Sequence, residues 1–260
     1  METITQTIQE NQLICLVDHK DRRILLNTNQ PVDKYPGIGV YDPKSLIGKT
    51  IGDQLQIDNK TFYLFTPSLM DKMLSIKRKA QIILPRDCGH IIMGCSIEPG
   101  KRVLESGIGS GSLTIALASI VGETGHVISI DNREDHIEHA TKNIQRAGLQ
   151  NRVTTQLADV TKQIDHKDLD AIILDIPNPW QAIPHATKAL KVGGYLCTYS
   201  PLTTQLEHTV QELNKHHYIE LRTLENIQRD LVVSEHGTRP NFQMLGHTGY
   251  LLFARKTAEK

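Results

Sequence analysis

The stretch VLESGIGSGS, residues 103–112, decides how this chain folds. Its first residues are apolar and predict a buried strand, while the residues from Ser112 onward have the apolar spacing of a helix. Between them, Gly107, Gly109 and Gly111 predict a tight turn that lets the backbone approach a ligand closely. A strand that passes through such a turn into a helix is typical of α/β domains that bind a nucleotide or nucleoside.

The spacing of these glycines separates two classes of ligand. A dinucleotide-binding turn has the pattern GxGxxG, and Ser112 stands where its third glycine is expected. The pattern here is GxGxG, which favours a nucleoside without a pyrophosphate. We therefore expect S-adenosylmethionine as the cofactor, with Glu105 and the three turn glycines at its binding site.

Two carboxylates follow the next two strands of the pattern. Asp131 ends the apolar run VISI about twenty residues beyond the turn, where a carboxylate accepts hydrogen bonds from ribose hydroxyls. Asp159 follows the predicted strand 153–157, where a carboxylate can accept a hydrogen bond from the adenine amino group. Either residue alone is more often a helix cap or a surface group. Their order on successive strand ends favours a cofactor site.

Strand-like and helix-like segments alternate on both sides of this region. The predicted strands are 102–106, 126–130, 153–157, 170–175 and 194–199, and the predicted helices are 112–120, 134–146, 180–190 and 203–216. Such alternation predicts the α/β fold of class I methyltransferases, a Rossmann-like doubly wound sheet that is mostly parallel. No helix separates the apolar runs 218–226 and 248–254, so we expect the last strand to be antiparallel, with an irregular stretch at 228–247.

The N-terminal part has a different pattern. In residues 1–66, short apolar bursts such as LICLV and FYLF alternate with turn-forming residues, which predicts a small β-rich domain. Residues 67–260 form the predicted methyltransferase domain, and its first part, 67–100, is a predicted helical connector. Within this connector we expect one helix over 66–78 and a second over 87–95.

Composition limits the classes of partner. The 260 residues include 29 Lys and Arg and 29 Asp and Glu, so a surface for nucleic acid must be a local patch. The four cysteines, Cys15, Cys88, Cys95 and Cys197, lack metal-like spacing, and we expect reduced thiols and no metal. The N-terminus resembles no signal sequence, and no run reaches the roughly 18 apolar residues of a membrane span. We expect a cytoplasmic protein without membrane contact.

A carboxylate also ends the predicted strand 170–175, in the segment ILDIPNPW, where two prolines stiffen the loop after Asp175. This segment resembles the D-x-P-x-P-W motif of the tRNA (adenine-N1)-methyltransferases of archaeal and bacterial type that act on the T-loop. The segment QIILPRD, 81–87, resembles that family's Q-I-I-x-P-K-D, although an aromatic residue is common at position 84 and Lys at 86. With Arg239-Pro240 and MLGHTGY, 244–250, the resemblance covers roughly residues 66 to 256.

The resemblance implies positions for the cofactor and the substrate. Residues that would hold S-adenosylmethionine are Gln81, Ser110, Gly111, Ser112, Leu113, Asp131, His136 and Asp159. Within this set, the segment 110–113 would surround the methionine end of the cofactor. Asp131 would hold the ribose with His136 beside it, and Asp159 would face the adenine. The implied substrate is tRNA, methylated at N1 of adenosine 58, either alone or together with its neighbour 57, and the implied assembly is a homotetramer.

Asp175 is the candidate for the chemistry. N1 of adenine already carries a lone pair, so its methylation needs no strong base, but it develops positive charge on the ring. A fixed carboxylate that accepts a hydrogen bond from the exocyclic amine orients the ring and stabilises this charge. Trp180 and Tyr199 are candidates to stack on an extruded base, although Trp180 is as readily a core residue. Arg239 is a further candidate for substrate binding.

Basic side chains that could contact the tRNA backbone are Arg22, Arg23, Lys72, Lys77, Arg78, Lys79 and Arg86. Each of them is equally well explained as part of a solvated helix face. Two other functions remain open. One is a small-molecule methyltransferase of the corrinoid-precursor type, and the other is a non-catalytic tRNA-binding subunit, in which we expect a degraded glycine turn.

Overall fold

The computed structural model describes residues 6–259, which form two larger sheets and two short hairpins. The strands are β1 (Leu13–Asp18), β2 (Arg23–Asn27), β3 (Asp33–Tyr35), β4 (Gly39–Tyr41), β5 (Gln54–Ile57), β6 (Lys60–Phe65), β7 (Arg102–Ser106), β8 (His126–Asp131), β9 (Val153–Leu157), β10 (Leu169–Leu174), β11 (Leu190–Ser200), β12 (Tyr218–Glu225), β13 (Leu231–Ser234), β14 (Gly237–Pro240) and β15 (Tyr250–Lys256). The α-helices are α1 (Leu69–Leu74), α2 (Pro85–Gly94), α3 (Ser112–Val121), α4 (Glu134–Arg146), α5 (Pro179–Ala189) and α6 (Thr203–Leu213).

The main sheet has seven strands in the order β12-β15-β11-β10-β7-β8-β9. The five strands from β11 to β9 pair in parallel, whereas β15 is antiparallel to both β11 and β12. The predicted fold, mostly parallel with an antiparallel last strand, is confirmed. The chain runs from β7 outward to β9 and returns to β10 on the other side of β7. This reversal of strand order opens a crevice at the carboxyl ends of β7 and β10.

Helices cover both faces of this sheet, as the alternation of side chains along the buried strands requires. Val103 and Ile173 point to the cluster shared with α3 and α4, while their neighbours Leu104 and Ile172 point to the cluster shared with α5 and α6. Because both faces are buried, the central strands read as continuous apolar runs. The carboxyl edge of the sheet therefore carries the polar side chains.

The N-terminal part forms an antiparallel sheet in the order β2-β1-β6-β5 around its own apolar cluster, which includes the fully buried Phe62 and Leu64. The predicted short strands are present, and β3 and β4 add a hairpin. The division of the chain into domains at residue 66 stays a prediction. In the part of the chain that the structure describes, no helix is long and apolar enough to cross a membrane.

The first helix of the connector is shorter than the sequence predicts. Helix α1 begins after Ser68, because the Ser68 hydroxyl accepts from the Asp71 amide at 3.1 Å and the Asp71 carboxylate accepts from the Ser68 amide at 2.9 Å. It ends before Ser75, so the predicted helix 66–78 is wrong at both ends. The residues from Ser75 to Leu84 cross the sheet edge without helix, and α2 follows.

The stretch 228–247 is not wholly irregular, because β13 and β14 form an antiparallel hairpin within it. Its strands are four residues long and mostly exposed, with Val233 at 76% exposure. They therefore lack the alternation of buried and exposed residues that predicts a strand. The hairpin is tied to α2 at its base. The Arg86 guanidinium donates to the carbonyls of Gln228 and Leu245, and the buried Asp87 carboxylate accepts from Nδ2 of the Asn226 side chain at 3.1 Å.

Candidate active site

A cavity of about 520 Å³ opens at the carboxyl ends of β7, β8, β9 and β10, where the strand order reverses. Its volume is in the range of sites for small molecules and cofactors. The sequence-predicted residues that line it are Gln81, Gly107, Gly109, Asp131, His136, Asp159 and Asp175. The structure thus brings together residues from four strand ends and from the connector, and two of them, Gln81 and Asp175, are ninety-four residues apart in the chain (175 − 81).

The glycine turn holds two strand ends against each other. Gly107 has φ 98°, and a Cβ atom at this position would lie 2.0 Å from the Asp175 carbonyl oxygen. No other residue fits there without displacing the backbone of Asp175. Gly109 has φ 50° and faces open space, with the Ala80 side chain at 3.9 Å from a Cβ built there. This second glycine leaves room for a ligand.

Gly111 differs from its two neighbours. It lines no part of the cavity, and a Cβ built on it would lie 3.3 Å from the Cβ of Ala140 in α4. Its φ of 81° begins α3 in the left-handed region. Gly111 thus has a packing function, and its contact with the cofactor stays a prediction.

Ser110, Ser112 and Leu113 surround a smaller cavity of about 30 Å³ beneath the turn, with Glu105. The Ser110 hydroxyl accepts from the amides of Lys79 and Ala80 at 2.9 and 3.2 Å. These bonds hold the connector over the turn. The Ser112 hydroxyl donates to the Ile83 carbonyl at 3.1 Å. Both serines are thus occupied by the protein itself.

Glu105 lies in the core below the turn, with 1% of its surface exposed. Its carboxylate accepts from the hydroxyls of Thr114 at 2.6 Å and Ser129 at 2.8 Å, so it joins β7 to α3 and β8. Burial raises the pKa of Glu105 to about 7, against the opposing effect of these two hydrogen bonds. Its position supports the turn from beneath.

Asp131 ends β8 at the floor of the cavity and is 7% exposed. One carboxylate oxygen accepts from the Arg133 amide at 3.0 Å, and the other lies 3.2 Å from His136 Nδ1 and 3.4 Å from the Gly109 amide. A carboxylate has about four acceptor positions. At least one therefore remains for a ribose hydroxyl, and His136 fixes the orientation of the group.

Asp159 follows β9 on the same edge. One oxygen accepts from the Thr161 amide at 3.0 Å and the Thr161 hydroxyl at 2.6 Å, and the other lies 3.6 Å from the exposed Lys162 ammonium. The hydrogen bond from the Thr161 hydroxyl is the main cause that lowers the pKa of Asp159. The carboxylate is therefore held ionised, with the oxygen nearer Lys162 available as an acceptor.

Asp175 follows β10 directly and differs from the other carboxylates. Its amide donates to the Ser106 carbonyl at 2.8 Å, yet within residues 6–259 its carboxylate has no hydrogen-bond partner. Burial, and then the charge of Asp131, raise the pKa of Asp175 to about 7. A carboxylate fixed by its backbone and left without a partner is available to a substrate.

The structure adds residues to the site that sequence reasoning missed. They are Ala80, Ser106, Asn132, Arg133, Ala158, Val160, Thr161, Ile176, Pro177, Asn178 and Gln181. Most of them directly follow a predicted strand end, and Gln181 is in the first turn of α5. Position next to a strand end is the signal that could have identified them.

The three candidates for substrate binding do not line the cavity. Trp180 packs edge-on against His208 with ring centroids 4.9 Å apart. Tyr199 is 7% exposed, and its ring lies 2.5 Å from a Cβ built on Gly249. Arg239 lies on β14 with its guanidinium 4.2 Å from the centre of the Phe242 ring.

Several of the basic candidates already have acidic partners. Arg22 pairs with Asp18 at 3.3 Å, Arg23 with Asp71 at 2.8 Å and Lys79 with Asp135 at 2.6 Å. The guanidinium of Arg86 is occupied by the base of the hairpin. Asp18 is only four residues from Arg22, but the partners of Arg23, Lys79 and Arg86 are too distant in sequence to be assigned from the sequence alone.

The charges of the cavity match one class of nucleoside cofactor. Asp131, Asp159 and Asp175 face it, and the cation among its lining residues is Arg133, which pairs with Asp135 at 3.0 Å. A pyrophosphate would be repelled here, whereas the sulfonium and ammonium groups of S-adenosylmethionine would be attracted. In the part of the chain that the structure describes, no group of three or more His, Cys, Asp or Glu residues could hold a metal ion.

Comparison with known protein families matches residues 61–238 to the family described as tRNA methyltransferase complex GCD14 subunit. The chain belongs to this tRNA methyltransferase family. The match confirms the prediction of an S-adenosylmethionine-dependent methyltransferase of tRNA type. It favours this enzyme over a corrinoid-precursor methyltransferase and over a non-catalytic subunit.

Relatives of this family extend the similarity along nearly the whole chain. A Methanocaldococcus jannaschii protein named tRNA (adenine(57)-N(1)/adenine(58)-N(1))-methyltransferase TrmI is 36% identical over 94% of this chain and 95% of its own length. The solved structure of a Thermotoga maritima S-adenosylmethionine-dependent O-methyltransferase has a TM-score of 0.83 and 30% identity over 98% of this chain and 96% of its own. The tRNA (m1A58) methyltransferase TrmI of Aquifex aeolicus has a TM-score of 0.77 and 25% identity over 98% and 100%.

Proposed function

We propose that this protein transfers the methyl group of S-adenosylmethionine to N1 of adenosine 58 in the T-loop of tRNA. The observation that carries the proposal is the Asp175 carboxylate, which lines the cavity without a hydrogen-bond partner among residues 6–259. Position 57 is proposed as a second target, because the name of the similar Methanocaldococcus jannaschii protein includes both positions.

The chemistry requires positioning more than proton removal. The cofactor supplies an electrophilic methyl group on a cationic sulfur. The N1 lone pair forms the new N–C bond while the S–C electron pair returns to sulfur, so no proton has to leave in this step. Asp175 would accept a hydrogen bond from the exocyclic amine of adenine, whose acidity rises as the ring becomes cationic. The unpaired carboxylate thus stabilises the charge that develops.

The cofactor would be held by the residues already described at the strand ends. Asp131 and His136 would contact the ribose, Asp159 the adenine, and the open backbone at Gly109 the methionine end. The target adenosine would have to leave its stack to reach Asp175, at a cost of a few kcal/mol. Tyr199 is proposed to hold it, because Tyr199 directly follows Thr198, which pairs with Leu174 in the sheet, so that it lies next to Asp175 on the neighbouring strand.

We also propose a homotetramer in the cytoplasm, where tRNA is available. The observation that supports self-association is a group of exposed apolar side chains on β12 and around the β13–β14 hairpin, namely Ile219, Leu221, Leu231, Val233 and Phe242. Apolar patches of this kind are typical of interaction sites. Light scattering of the wild type and of Val233→Lys would test the assembly, and an unchanged mass in the variant would contradict this location for the interface.

The function is tested with unmodified tRNA transcript and labelled S-adenosylmethionine. Digestion and mass spectrometry should identify 1-methyladenosine in the T-loop. Transcripts in which A58, A57 or both are replaced by G locate the target, and the double replacement serves as the control. A 2′-O-methylated product, or bound cofactor with no methylated nucleoside, would contradict the proposal.

A further inference from the structure

A second cavity, of about 350 Å³, lies where β2 and the β3–β4 hairpin meet α1 and the last turns of α4. We call it the basic cleft. The basic residues that line it are Arg23, Lys34, Lys72, Lys77 and Arg146, and the acidic residue among its lining is Asp33. It shares no lining residue with the cofactor cavity.

This concentration of charge is unusual for a chain in which 29 basic residues balance 29 acidic residues. Of the five cations, Arg23 is paired with Asp71. Lys34, Lys77 and Arg146 are exposed, and none of them has an acidic partner within ion-pair distance among the described residues. These three side chains are free to bind an anion.

Like charges gathered in a concave site repel each other unless an anion joins them. The walls of a concave surface also concentrate the field that attracts an anion. The basic cleft is therefore suited to negative charge.

The basic cleft is connected to the cofactor turn by one buried side chain. Asn143 of α4, 2% exposed, accepts from the Lys77 amide at 3.2 Å and donates to the carbonyls of Lys77 and Ser110 at 2.9 Å each. Lys77 lines the basic cleft, while Ala80 and Gln81, a few residues on, line the cofactor cavity. The short segment 77–81 thus separates the two cavities.

We propose that the basic cleft binds the phosphodiester backbone of the substrate tRNA while the target base occupies the cofactor cavity. The proposal rests on the function proposed above. A ligand that enters both sites must extend across segment 77–81 and must carry several negative charges on the side of the basic cleft. A folded RNA fits this description. Flexible lysine side chains suit backbone phosphates because they need no fixed geometry.

The test compares two triple variants of the full chain that remove the same charge. One is Lys34→Gln, Lys77→Gln and Arg146→Gln in the basic cleft. The matched control is Lys44→Gln, Lys167→Gln and Lys188→Gln, at exposed lysines that line neither cavity. Circular dichroism and the affinity for S-adenosylmethionine should be unchanged in both variants, which shows that the fold and the cofactor cavity are intact.

In the cleft variant, we expect the KM and the Kd for tRNA to rise roughly tenfold or more, while kcat at saturating tRNA stays near the wild-type value. The slope of log Kd against log salt should become less steep by about 2, since each lost phosphate contact contributes about 0.7 to 0.9. The control variant should differ little from the wild type in both measurements.

Three results would overturn the proposal. The first is a cleft variant with the KM and salt slope of the control. The second is a loss of kcat without a change in KM. The third is a wild type that binds inorganic phosphate tightly in calorimetry and loses this binding, but not tRNA affinity, in the cleft variant. If the wild type methylates no tRNA but its salt-dependent tRNA binding is lost in the cleft variant, the proposed function fails and the basic cleft stands.

Discussion

The cofactor cavity and the basic cleft lie on opposite sides of segment 77–81 and carry opposite charges. Asp131, Asp159 and Asp175 face the first, while five lysines and arginines face the second. The acidic side suits a cationic methyl donor and a base that becomes cationic, and the basic side suits a polyanion. An overall charge of zero thus conceals two sites that need opposite potentials.

The two sites also differ in how their side chains are held. In the cavity, Asp131 and Asp159 accept hydrogen bonds from neighbouring backbone amides, and Asp175 is fixed through its own amide. In the basic cleft, Lys34, Lys77 and Arg146 are exposed and carry long side chains with many rotamers. Rigid acceptors suit chemistry at one atom, whereas flexible cations suit a backbone of variable shape. Variants of the cofactor cavity should therefore lower kcat, whereas variants of the basic cleft should raise the KM for tRNA.

The largest effect is expected for Asp175→Asn, which removes the charge and keeps the shape. The kcat should fall by about 10²- to 10³-fold, as for the loss of one preorganised electrostatic partner, with little change in KM for tRNA. Single-turnover methylation measures this. The control is Asp168→Asn at the other end of β10, an exposed residue with φ 57°, which Asn also adopts. A normal kcat in Asp175→Asn would remove Asp175 from the chemistry.

A second large effect is expected for Gly107→Ala, because the added methyl group would collide with the Asp175 carbonyl. The free energy of unfolding should decrease by roughly 2–4 kcal/mol, and cofactor affinity should fall with it. Gly109 has no close neighbour, so Gly109→Ala should lower the free energy of unfolding by only about 1–2 kcal/mol. This is the cost of a side chain on a left-handed backbone. Equal losses in denaturant titrations of the two variants would contradict the close contact at Gly107.

The pH dependence should separate the two sites. Asp175 has a raised pKa of about 7, so its active, ionised form is lost as the pH falls below that value. The kcat/KM for the cofactor, which reports the free enzyme, should decrease by about tenfold per pH unit below 7. Lysine and arginine side chains generally keep their charge over pH 6–8, so tRNA binding should change little. A flat kcat/KM profile from pH 5 to 8 would contradict the raised pKa.

The smallest effect is expected for Lys79→Gln in segment 77–81, between the two sites. Its ion pair with Asp135 is at the surface, with the two side chains 40% and 46% exposed. Such a pair contributes about 1 kcal/mol or less, so thermal unfolding should change by a few degrees at most. Segment 77–81 is held instead by the Lys79 backbone amide, which donates a hydrogen bond to the Ser110 hydroxyl. A large loss of cofactor affinity would show that the Lys79 side chain has a function that its contacts do not indicate.

Sequence reasoning was most accurate where side chains alternate between two buried faces. Helix α4 and strand β7 begin and end at the predicted residues, because apolar spacing in the helix and burial of the strand give a clear signal. The carboxylates Asp131, Asp159 and Asp175 were placed at one site because parallel strands end at the same edge. The hairpin of β13 and β14 was missed, since its strands are short and exposed.

Other features depend on contacts that a sequence does not display. Gly107 and Gly111 have the same residue type in one turn, yet one meets the Asp175 backbone and the other meets Ala140. The basic candidates could not be divided into paired and unpaired residues, because Arg23 finds its partner Asp71 through the fold. The basic cleft needs five residues from β2, the β3–β4 hairpin, the connector and α4, and no local pattern joins them.

The contact between Gly107 and Asp175 has a consequence for the history of such chains. Asp175 is positioned by its own amide on the Ser106 carbonyl and by its carbonyl against Gly107, so main-chain atoms set its place. Surrounding side chains can then be exchanged over many generations without moving the carboxylate. Position 107 is the exception, because any side chain there would displace the Asp175 backbone and the carboxylate with it.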